Sequence, residues 1–440
     1  MDSLADLPVL PADPGYACPG ESPPISRSLH LARLAAGYAG CVQCPHRHAT
    51  DGLPRHIIER TRKRLQRQPS QRLATTEGIR GQYVNDLTRE KMGHITRHVL
   101  EILEADRVRQ FDRSVQGGLK ILTGYDSRSH SPDLAMGVVA VLKQWGCEIA
   151  DMGQLSRPMF DAATDQLRPD AGLFVTGGNA PHGINGLDII DHAGLPWCLP
   201  GKLEDLLSRL ETPCSRIGRT PGRYAAFSFT DNYETGLAQH FHAIRPLRLA
   251  IVCPDVSLRS SLKSQLEQTS CSVFFSATSS TSIDGPERHC QLIVETLCDR
   301  RLDFGVIIGN DGRSCRLFDE GGHAFTVREM LALLQPASTT DSNPAWIALE
   351  EASPSGVPTE GEVVNGTHAD LLRAQRERRI PLAADGDFRF WFLGTSPACD
   401  AIQTLARILE VFSLADRPAS TYRSRRQHHS PRCSGVPLRP

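Results

Sequence analysis

Apolar residues follow two kinds of pattern along this chain: short continuous runs, and longer stretches with an apolar side chain every three to four positions. A short apolar run bounded by Gly, Pro, Asn or Asp is typical of a buried strand, and the wider spacing is typical of a helix. The predicted strands are Gly118–Leu122, Cys147–Ala150, Leu173–Val175, Leu247–Cys253, Ser272–Phe275, Asp303–Ile308, Trp346–Leu349 and Phe388–Leu393. The predicted helices are Leu29–Ala36, Leu87–Leu103, Leu134–Trp145, Leu258–Leu266, Cys290–Leu297, Ala369–Glu377 and Asp400–Phe412. This alternation predicts an α/β fold.

The stretch from Ala171 to Asp191 is the most informative part of the sequence. Its predicted strand runs straight into a glycine-rich segment, T-G-G-N-A-P-H-G-I-N-G, from Thr176 to Gly186. A strand followed by glycines, a proline and Asn-Gly is how an α/β protein presents a backbone loop at the carboxyl edge of its sheet. We therefore expect a backbone loop at this edge of the sheet.

Three further segments combine glycines with charged residues. They are T-E-G-I-R-G at Thr76–Gly81, G-Y-D-S-R-S-H-S-P at Gly124–Pro132 and G-N-D-G-R-S at Gly309–Ser314. In the second segment, Ser131 is expected to cap the following helix, because Ser suits the N-cap and Pro suits the first turn. That helix and the next strand complete a β-α-β unit.

In order and spacing, these segments resemble the motifs of the α-D-phosphohexomutases, the phosphomannomutase and phosphoglucomutase family. The family's phosphoserine loop reads T-A-S-H-N-P, followed by N-G and a lysine, and Thr176, Pro181, Asn185 and Gly186 fit it. G-I-R-G matches a second motif. The family's G-x-D-x-R-x-S-S-P is matched too, with His130 in place of one serine.

The resemblance implies three consecutive α/β/α domains with mixed sheets. We expect an N-terminal extension at residues 1–72, a first domain at 73–215, a second at 216–335, a shortened third at 336–414 and a basic disordered tail at 415–440. Only 28 residues follow Phe412 in the 440-residue chain, so the family's fourth domain is expected to be absent.

The chain departs from the family at the residues that carry the reaction. The resemblance implies a loop serine that passes a phosphoryl group between two positions of the sugar, and Gly178 stands at that position. A carrier needs a nucleophilic side-chain atom, which glycine lacks. Asn179 and Asp188 replace the family's histidine and lysine. Thr176 and His182 are the alternative nucleophiles on this loop.

The metal-binding motif has changed as well. The family's D-G-D-x-D-R holds Mg²⁺ through three aspartates, and here only Asp311 remains, with Gly309, Arg313 and Ser314 at the other positions. One carboxylate is a poor Mg²⁺ site because the ion prefers several hard oxygens, and Arg313 would repel the ion or bind a phosphate itself. The sugar-binding G-E-x-S-G-H falls near Asp385–Phe390, where one acid is kept.

These departures predict a catalytically impaired family member, a pseudoenzyme of carbohydrate metabolism that binds a sugar phosphate or a protein partner. An active isomerising phosphotransferase with a displaced nucleophile is the alternative. The loops also have a purely structural interpretation, since glycine and proline shape turns with or without a ligand. The expected phosphate- and sugar-binding residues are Arg80, Asp126, Arg128, Ser131, Thr176, Asn179, Asn185 and Arg313.

The N-terminal extension suggests a third hypothesis, an interaction module. Cys41, Cys44, His46 and His48 are all residue types that bind Zn²⁺, although C-x2-C-x-H-x-H is tighter than the usual knuckle spacing. An exposed turn with reduced cysteines is the alternative. The basic stretch Arg55–Arg67 predicts a helix that binds an acidic partner or simply presents a solvated face.

Composition narrows the function classes. The chain is 40% hydrophobic and 22% charged, as is ordinary for globular proteins, and its net charge of −1 argues against a general nucleic-acid-binding surface. No apolar run approaches the roughly 18 residues of a membrane span. Thirteen scattered cysteines, an odd number, predict reduced thiols and a cytoplasmic location.

Overall fold

A computed structural model of the protein describes residues 15–18, 24–42, 44–66, 73–111, 117–214, 221–276, 286–335, 344–349, 361–394 and 399–423. In these residues the chain forms three β-sheets, of six, four and four strands, with helices packed against them. The predicted α/β architecture with three sheets is confirmed. Residues 1–14 and Arg67 of the predicted N-terminal extension and residues 424–440 of the predicted tail lie outside the described residues.

The N-terminal extension contains two helices, α1 (Arg27–Ala36) and α2 (Arg55–Gln66). Helix α1 begins at the N-cap Ser26, whose hydroxyl accepts from the backbone N–H of Leu29, and ends at Gly37 in a left-handed conformation. These are the capping features that favour a short helix. A short 3₁₀ helix at Ala39–Val42 links it to the Cys/His segment.

The first domain has a mixed sheet of six strands in the order β1-β5-β4-β2-β3-β6. Its strands are β1 (Ile79–Gln82), β2 (Lys120–Tyr125), β3 (Glu148–Gln154), β4 (Ala171–Val175), β5 (Ile184–Asp191) and β6 (Arg223–Ala226). Its helices are α3 (Arg89–Phe111), α4 (Ser131–Trp145), α5 (Arg157–Leu167) and α6 (Lys202–Arg209). All five residues of β4 are buried, which explains why its sequence is a continuous apolar run. The second domain was expected to begin at residue 216. Strand β6 lies beyond that boundary, but it pairs with β3 and so belongs to the sheet of the first domain.

The second sheet has the order β10-β9-β7-β8 and the third the order β12-β11-β13-β14. The elements of the second domain are α7 (Thr230–Ala238), β7 (Arg248–Val252), α8 (Val256–Leu266), β8 (Ser272–Phe275), α9 (Pro286–Arg300), β9 (Phe304–Ile308), β10 (Cys315–Asp319) and α10 (Val327–Leu334). Those of the third are β11 (Trp346–Leu349), β12 (Gly361–Val364), α11 (His368–Arg378), β13 (Leu382–Ala384), β14 (Phe390–Phe392) and α12 (Ala401–Ser413).

A single apolar core connects the three domains. Phe174 of β4, Phe304 of β9 and Phe390 of β14 are fully buried members of one cluster. Burial of large aromatic side chains is among the strongest contributions to packing, so the loops at the strand ends are held close together. Residues 415–423 also belong to the folded part, where a short 3₁₀ helix at Ala419–Tyr422 follows α12.

One local prediction was wrong. Ser131 does not cap α4: the N-cap is His130, which makes no side-chain capping bond, and Ser131 is the first helical residue. Its hydroxyl instead donates to the carboxylate of Asp126, because that acceptor lies within reach at the end of β2. Among the described residues, no helix is long and apolar enough to cross a membrane.

Candidate active site

Asp126, directly after β2, holds the two loops of the first domain together. Its Oδ2 accepts hydrogen bonds from the Thr176 hydroxyl at 2.8 Å and the Gly177 N–H at 3.0 Å. Its Oδ1 accepts from the Ser131 hydroxyl and, at 3.2 Å, from the backbone N–H of Arg128. Strands β2 and β4 are parallel neighbours, so the loops that follow them meet at one edge of the sheet.

Arg128 lies inside the loop between β4 and β5. Its guanidinium donates hydrogen bonds of 2.7–3.3 Å to the backbone carbonyls of Gly178, Ala180, Pro181, His182 and Ile184. Burial lowers the pKa of Arg128, and the neighbouring carboxylate of Asp126 partly opposes that shift. The arginine therefore shapes the loop with the donors that were expected to bind a phosphate.

Gly178, at the family's serine position, has a φ of +56° in the left-handed region. A Cβ atom added there would lie 3.3 Å from Nη2 of Arg80. The Thr176 hydroxyl accepts the N–H of Gly178 at 2.8 Å while it donates to Asp126, and Thr176 is only 2% exposed. This hydroxyl is engaged as donor and acceptor at once.

His182 is exposed on the same loop. Its carbonyl accepts from Nε2 of His130 at 2.8 Å, and Nδ1 of His130 accepts from the Asn185 amide at 2.7 Å. This pattern assigns the His130 proton to Nε2. Burial lowers the pKa of His130, so the ring is a neutral part of the scaffold. The Asn185 amide also donates to the Ser131 hydroxyl at 2.8 Å.

Asp188 stands on β5 where the family has a lysine, and it is buried. Its Oδ1 lies 2.6 Å from Nη2 of Arg80, and its Oδ2 pairs with Arg157 of α5. Arg157 also pairs with Asp161 at 2.8 Å. Burial raises the pKa of Asp161 in spite of that arginine. Both arginines of this region therefore face carboxylates of the chain itself.

The turn between β9 and β10 carries the remaining acid of the metal motif. The two oxygens of Asp311 accept from the backbone N–H and from Nε of Arg313, each at 3.0 Å. Asn179 of the first domain reaches this turn, where its Oδ1 accepts from the Asp311 N–H at 3.4 Å. A Cβ atom at Gly309 would lie 2.3 Å from Oγ of Ser314, so the close approach of these loops requires glycine.

Glu77, in the segment before β1, lies where the three domains meet. Its carboxylate is 2.7 Å from Nη1 of Arg313, 3.0 Å from Nη1 of Arg389, 3.7 Å from Nδ1 of His368 and 3.8 Å from Nη2 of Arg157. Burial alone would raise the pKa of Glu77, but these positive neighbours hold it well below its usual range. The carboxylate thus acts as an internal anion shared by three domains.

Asp385, the acid kept in the third-domain loop, belongs to the same network. It pairs with Nε of Arg389 at 2.5 Å and with Nε2 of His368 at 2.9 Å. Burial would raise its pKa, but the charge of Arg389 and the bond to His368 lower it. We call the ten side chains of this network the cleft cluster; they are Glu77, Arg80, Arg157, Asp161, Asp188, Asp311, Arg313, His368, Asp385 and Arg389.

The cleft cluster leaves little space. A cavity of about 30 Å³ remains between the domains, lined in part by Glu77, Asp161 and His368. That volume holds about one or two water molecules, whereas ligand pockets are typically about 300–1,000 Å³. The three domains are therefore closed on one another, and their facing charges are paired.

The residues of the second-domain turn do not fit Mg²⁺. Both Asp311 oxygens are bound to Arg313, and Gly309 offers no carboxylate. A hard divalent ion needs several oxygen ligands, and the guanidinium occupies the approach to the one acid.

The structure does not gather the proposed zinc ligands of the extension. Cys41 and Cys44 are buried, while His48 is exposed and its Nε2 accepts from Nε of Arg47 at 3.1 Å. His46 instead packs against Tyr16, with ring centroids 5.3 Å apart. Among the described residues, one group of three His, Cys, Asp or Glu side chains has its ligand atoms within 4.8 Å of one another. That group lies in the first domain and not in the extension.

Sequence reasoning brought together Asp126, Arg128, Ser131, Thr176 and Asn185. Of the ten residues of the cleft cluster it singled out five and missed the other five, which are Glu77, Arg157, Asp161, His368 and Arg389. Glu77 could have been noticed within the T-E-G-I-R-G segment, and an arginine within D-G-D-F-R-F. Arg157 gave no signal, because helix α5 was not predicted and the residue acts through pairing across domains.

A family model described as phosphoglucomutase/phosphomannomutase, alpha/beta/alpha domain I, matches residues 71–204. A probable phosphoglucosamine mutase of Methanosphaera stadtmanae is 24% identical over 187 residues, which cover 41% of this chain and 39% of that protein. One from Methanothermobacter thermautotrophicus is 22% identical over 278 residues, which cover 60% of this chain and 58% of that protein. The matches therefore span about half the length of these curated relatives.

Solved structures show the same fold over a larger part of the chain. A phosphoglucomutase/phosphomannomutase family protein of Burkholderia thailandensis aligns with a TM-score of 0.65 at 19% identity, over 81% of this chain and 79% of that one. The family model, the curated relatives and this fold agree with the motif order. Residues 71–204 therefore carry domain I of the phosphoglucomutase/phosphomannomutase family, and the chain as a whole has the fold of an α-D-phosphohexomutase.

Proposed function

We propose that this chain is a catalytically impaired phosphohexomutase-family protein that serves carbohydrate metabolism by binding a sugar phosphate. The observation that carries this proposal is the absence of a side chain at Gly178, the family's carrier position. A covalent relay needs a nucleophilic atom there, and the nearby Thr176 hydroxyl is already engaged with Asp126.

The proposed ligand follows from the surroundings of Glu77. Cationic groups of all three domains converge on this carboxylate, with Arg313 and Arg389 at 2.7 Å and 3.0 Å. A phosphate group has the charge and the acceptor oxygens to take the place of Glu77 when the domains separate. Glu77 is then a built-in competitor, and the open form is the one that binds.

The activity test uses pure protein with Mg²⁺, a hexose 1-phosphate and the matching 1,6-bisphosphate. We expect neither interconversion of the two monophosphates nor a stable phosphate on the chain. Turnover, or a phosphorylated residue on the Thr176–Gly186 loop, would show that the protein is instead an active phosphotransferase.

The binding test compares the wild type with Glu77→Gln by titration calorimetry with glucose 1-phosphate. Removal of the internal anion should tighten binding by about tenfold or more, since the buried cations lose their partner. Glu59→Gln, in an exposed pair with Arg55, is the matched control and should change nothing. If neither the wild type nor Glu77→Gln binds the sugar phosphate, the proposed ligand is wrong.

The alternative of a displaced nucleophile has less support, because the remaining candidate, His182, is an exposed imidazole at the edge of the loop. A protein partner of the extension and a cytoplasmic location stay predictions. Cell fractionation and pull-down of the full chain with and without residues 1–72 would test them.

A further inference from the structure

Three side chains of different chemistry meet in the first domain, between α3 and the residues that follow α6. Nδ1 of His98 lies 3.0 Å from Oε2 of Glu101, and Sγ of Cys214 lies 3.0 Å from Oε1 of the same carboxylate. The nitrogen, oxygen and sulfur atoms all lie within 4.8 Å of one another. Nothing in the proposed binding of a sugar phosphate uses these residues.

Helix geometry and the chain after α6 build this arrangement. His94, His98 and Glu101 share one face of α3, since residues three and four apart are neighbours on a helix. Nε2 of His94 bonds to the carbonyl of Leu210 at 3.1 Å, which fixes the end of α6 against α3. The following residues then bring Cys214 over Glu101.

The three groups can supply ligand atoms. His98 is fully buried, and burial lowers its pKa, so its ring is neutral near pH 7 as a metal ligand must be. Its ring stands edge-on to that of His94, with centroids 4.7 Å apart. The second ring nitrogen, Nε2, has no hydrogen-bond partner among the described residues, so it can take up the proton without breaking a bond.

We propose that His98, Glu101 and Cys214 form a site for a soft divalent cation, with Zn²⁺ as the best match. Imidazole nitrogen, carboxylate oxygen and thiolate sulfur are the donors that Zn²⁺ takes in proteins, at about 2.0–2.3 Å. Tetrahedral geometry at those lengths separates the donors by about 3.5 Å, so the present contacts need to open by a few tenths of an ångström. Water from the partly exposed Glu101 side supplies the fourth ligand.

The charges and protons of this step balance. The Cys214 thiol releases one proton to solvent, the His98 proton moves from Nδ1 to Nε2, and Glu101 remains a carboxylate. One thiolate and one carboxylate then neutralise the divalent ion. Arg209 acts electrostatically on His98, but it is paired with Asp205 at 3.1 Å, which offsets its repulsion.

Titration with Co²⁺ tests this proposal, because the absorption spectrum of bound Co²⁺ shows both its coordination geometry and whether a sulfur atom is a ligand. Full-length metal-free protein is titrated with Co²⁺ and then with Zn²⁺. We expect one equivalent of Co²⁺ to give the strong visible bands of four-coordinate cobalt and a thiolate-to-metal charge-transfer band, and one equivalent of Zn²⁺ to remove both. Absence of these bands in the wild type would overturn the proposal.

Variants locate the metal. Cys214→Ser should lose the charge-transfer band and weaken Zn²⁺ binding by about tenfold or more, and Glu101→Gln should weaken binding without removing that band. Cys298→Ser, an exposed cysteine of the second domain, is the control and should bind like the wild type. If Cys41→Ser with Cys44→Ser removes the bands and Cys214→Ser does not, the metal belongs to the extension and the proposal is wrong.

Discussion

Two glycine-rich loops face each other across the cleft, and each is bound by an arginine. The two arginines bind different acceptors. In the loop after β4, Arg128 comes from a neighbouring segment and binds neutral backbone carbonyls such as that of Gly178 at 2.7 Å. In the turn after β9, Arg313 belongs to the turn itself and binds the carboxylates of Asp311 and Glu77 at 3.0 Å and 2.7 Å. One arginine shapes a loop within a domain, and the other ties domains together.

This difference in acceptors decides what the conformation of each loop depends on. Arg128 holds the first loop through backbone carbonyls, so the shape of that loop does not require a particular side chain at position 178. The second turn depends on the signs of its charges. There Arg313 pairs with Asp311 of its own turn and with Glu77 of the first domain, so the turn takes part in an interdomain ion pair.

The largest effect should come from Arg128→Ala, which breaks the first loop. The change removes the Arg128 donor from the backbone carbonyls of the loop. The Pro181 carbonyl keeps a second donor, the N–H of Ile184, and the His182 carbonyl keeps one from His130. We therefore expect a loss on the order of 4 kcal/mol in the free energy of unfolding. Urea unfolding measures it. Arg109→Ala, whose side chain is 75% exposed, should stay within about 0.5 kcal/mol of the wild type. A loss near zero for Arg128→Ala would mean that the loop holds its shape by other means.

Glu77→Gln should break the second arrangement with a somewhat smaller effect. Removal of the charge leaves buried cations of three domains without their shared partner, and we expect a loss of about 3 kcal/mol. The radius of gyration from small-angle scattering should rise as the domains separate. The exposed-pair variant Glu59→Gln should leave both quantities unchanged, and a compact, fully stable Glu77→Gln would contradict the shared-anion role.

The pH dependence should sharpen the comparison. The pKa of Glu77 is held well below the usual 4.5 of a glutamate, so its stabilising contribution is complete above about pH 4.5 and is lost as the pH falls through its folded pKa. The free energy of unfolding is measured between about pH 3 and pH 6, the range in which carboxyl groups titrate. As the pH falls, it should decrease more steeply for the wild type than for Glu77→Gln. Equal pH dependence of the two proteins would show that Glu77 does not cause the loss of stability in acid. Arg128→Ala is the control and should keep the pH dependence of the wild type.

The smallest effect is expected for Gly178→Ser. The new side chain must adopt a φ of +56° and meets only the flexible end of Arg80 at 3.3 Å, so the cost is about 1 kcal/mol. Gly183→Ser, with open space and an ordinary φ, is the control in the same loop. The serine should not restore mutase turnover, since the second turn still pairs Asp311 with Arg313. Restored turnover would show that the carrier atom alone was missing.

The strands and helices with clear apolar patterns were predictable from sequence. Strand β8 and strand β11 have the predicted bounds, and α12 differs by one residue at each end. Strand β6 was not predictable, because all four of its residues are exposed and only pairing with β3 defines it. Helix α5 was missed as well, although Ser156 caps it and Met159, Phe160 and Ala163 form a short buried apolar stripe along it.

The sequence by itself determined the resemblance to the family, the order of the glycine-rich loops and the glycine at position 178, since these depend on residue identity and local spacing alone. Only the tertiary structure decided how the charges of the cleft are used. Arg157, Arg313 and Arg389 are far apart in the chain and meet at Glu77 because the apolar core closes the three domains on one another. Electrostatic pairing depends on distances of a few ångströms and on burial, and neither quantity can be read along a chain.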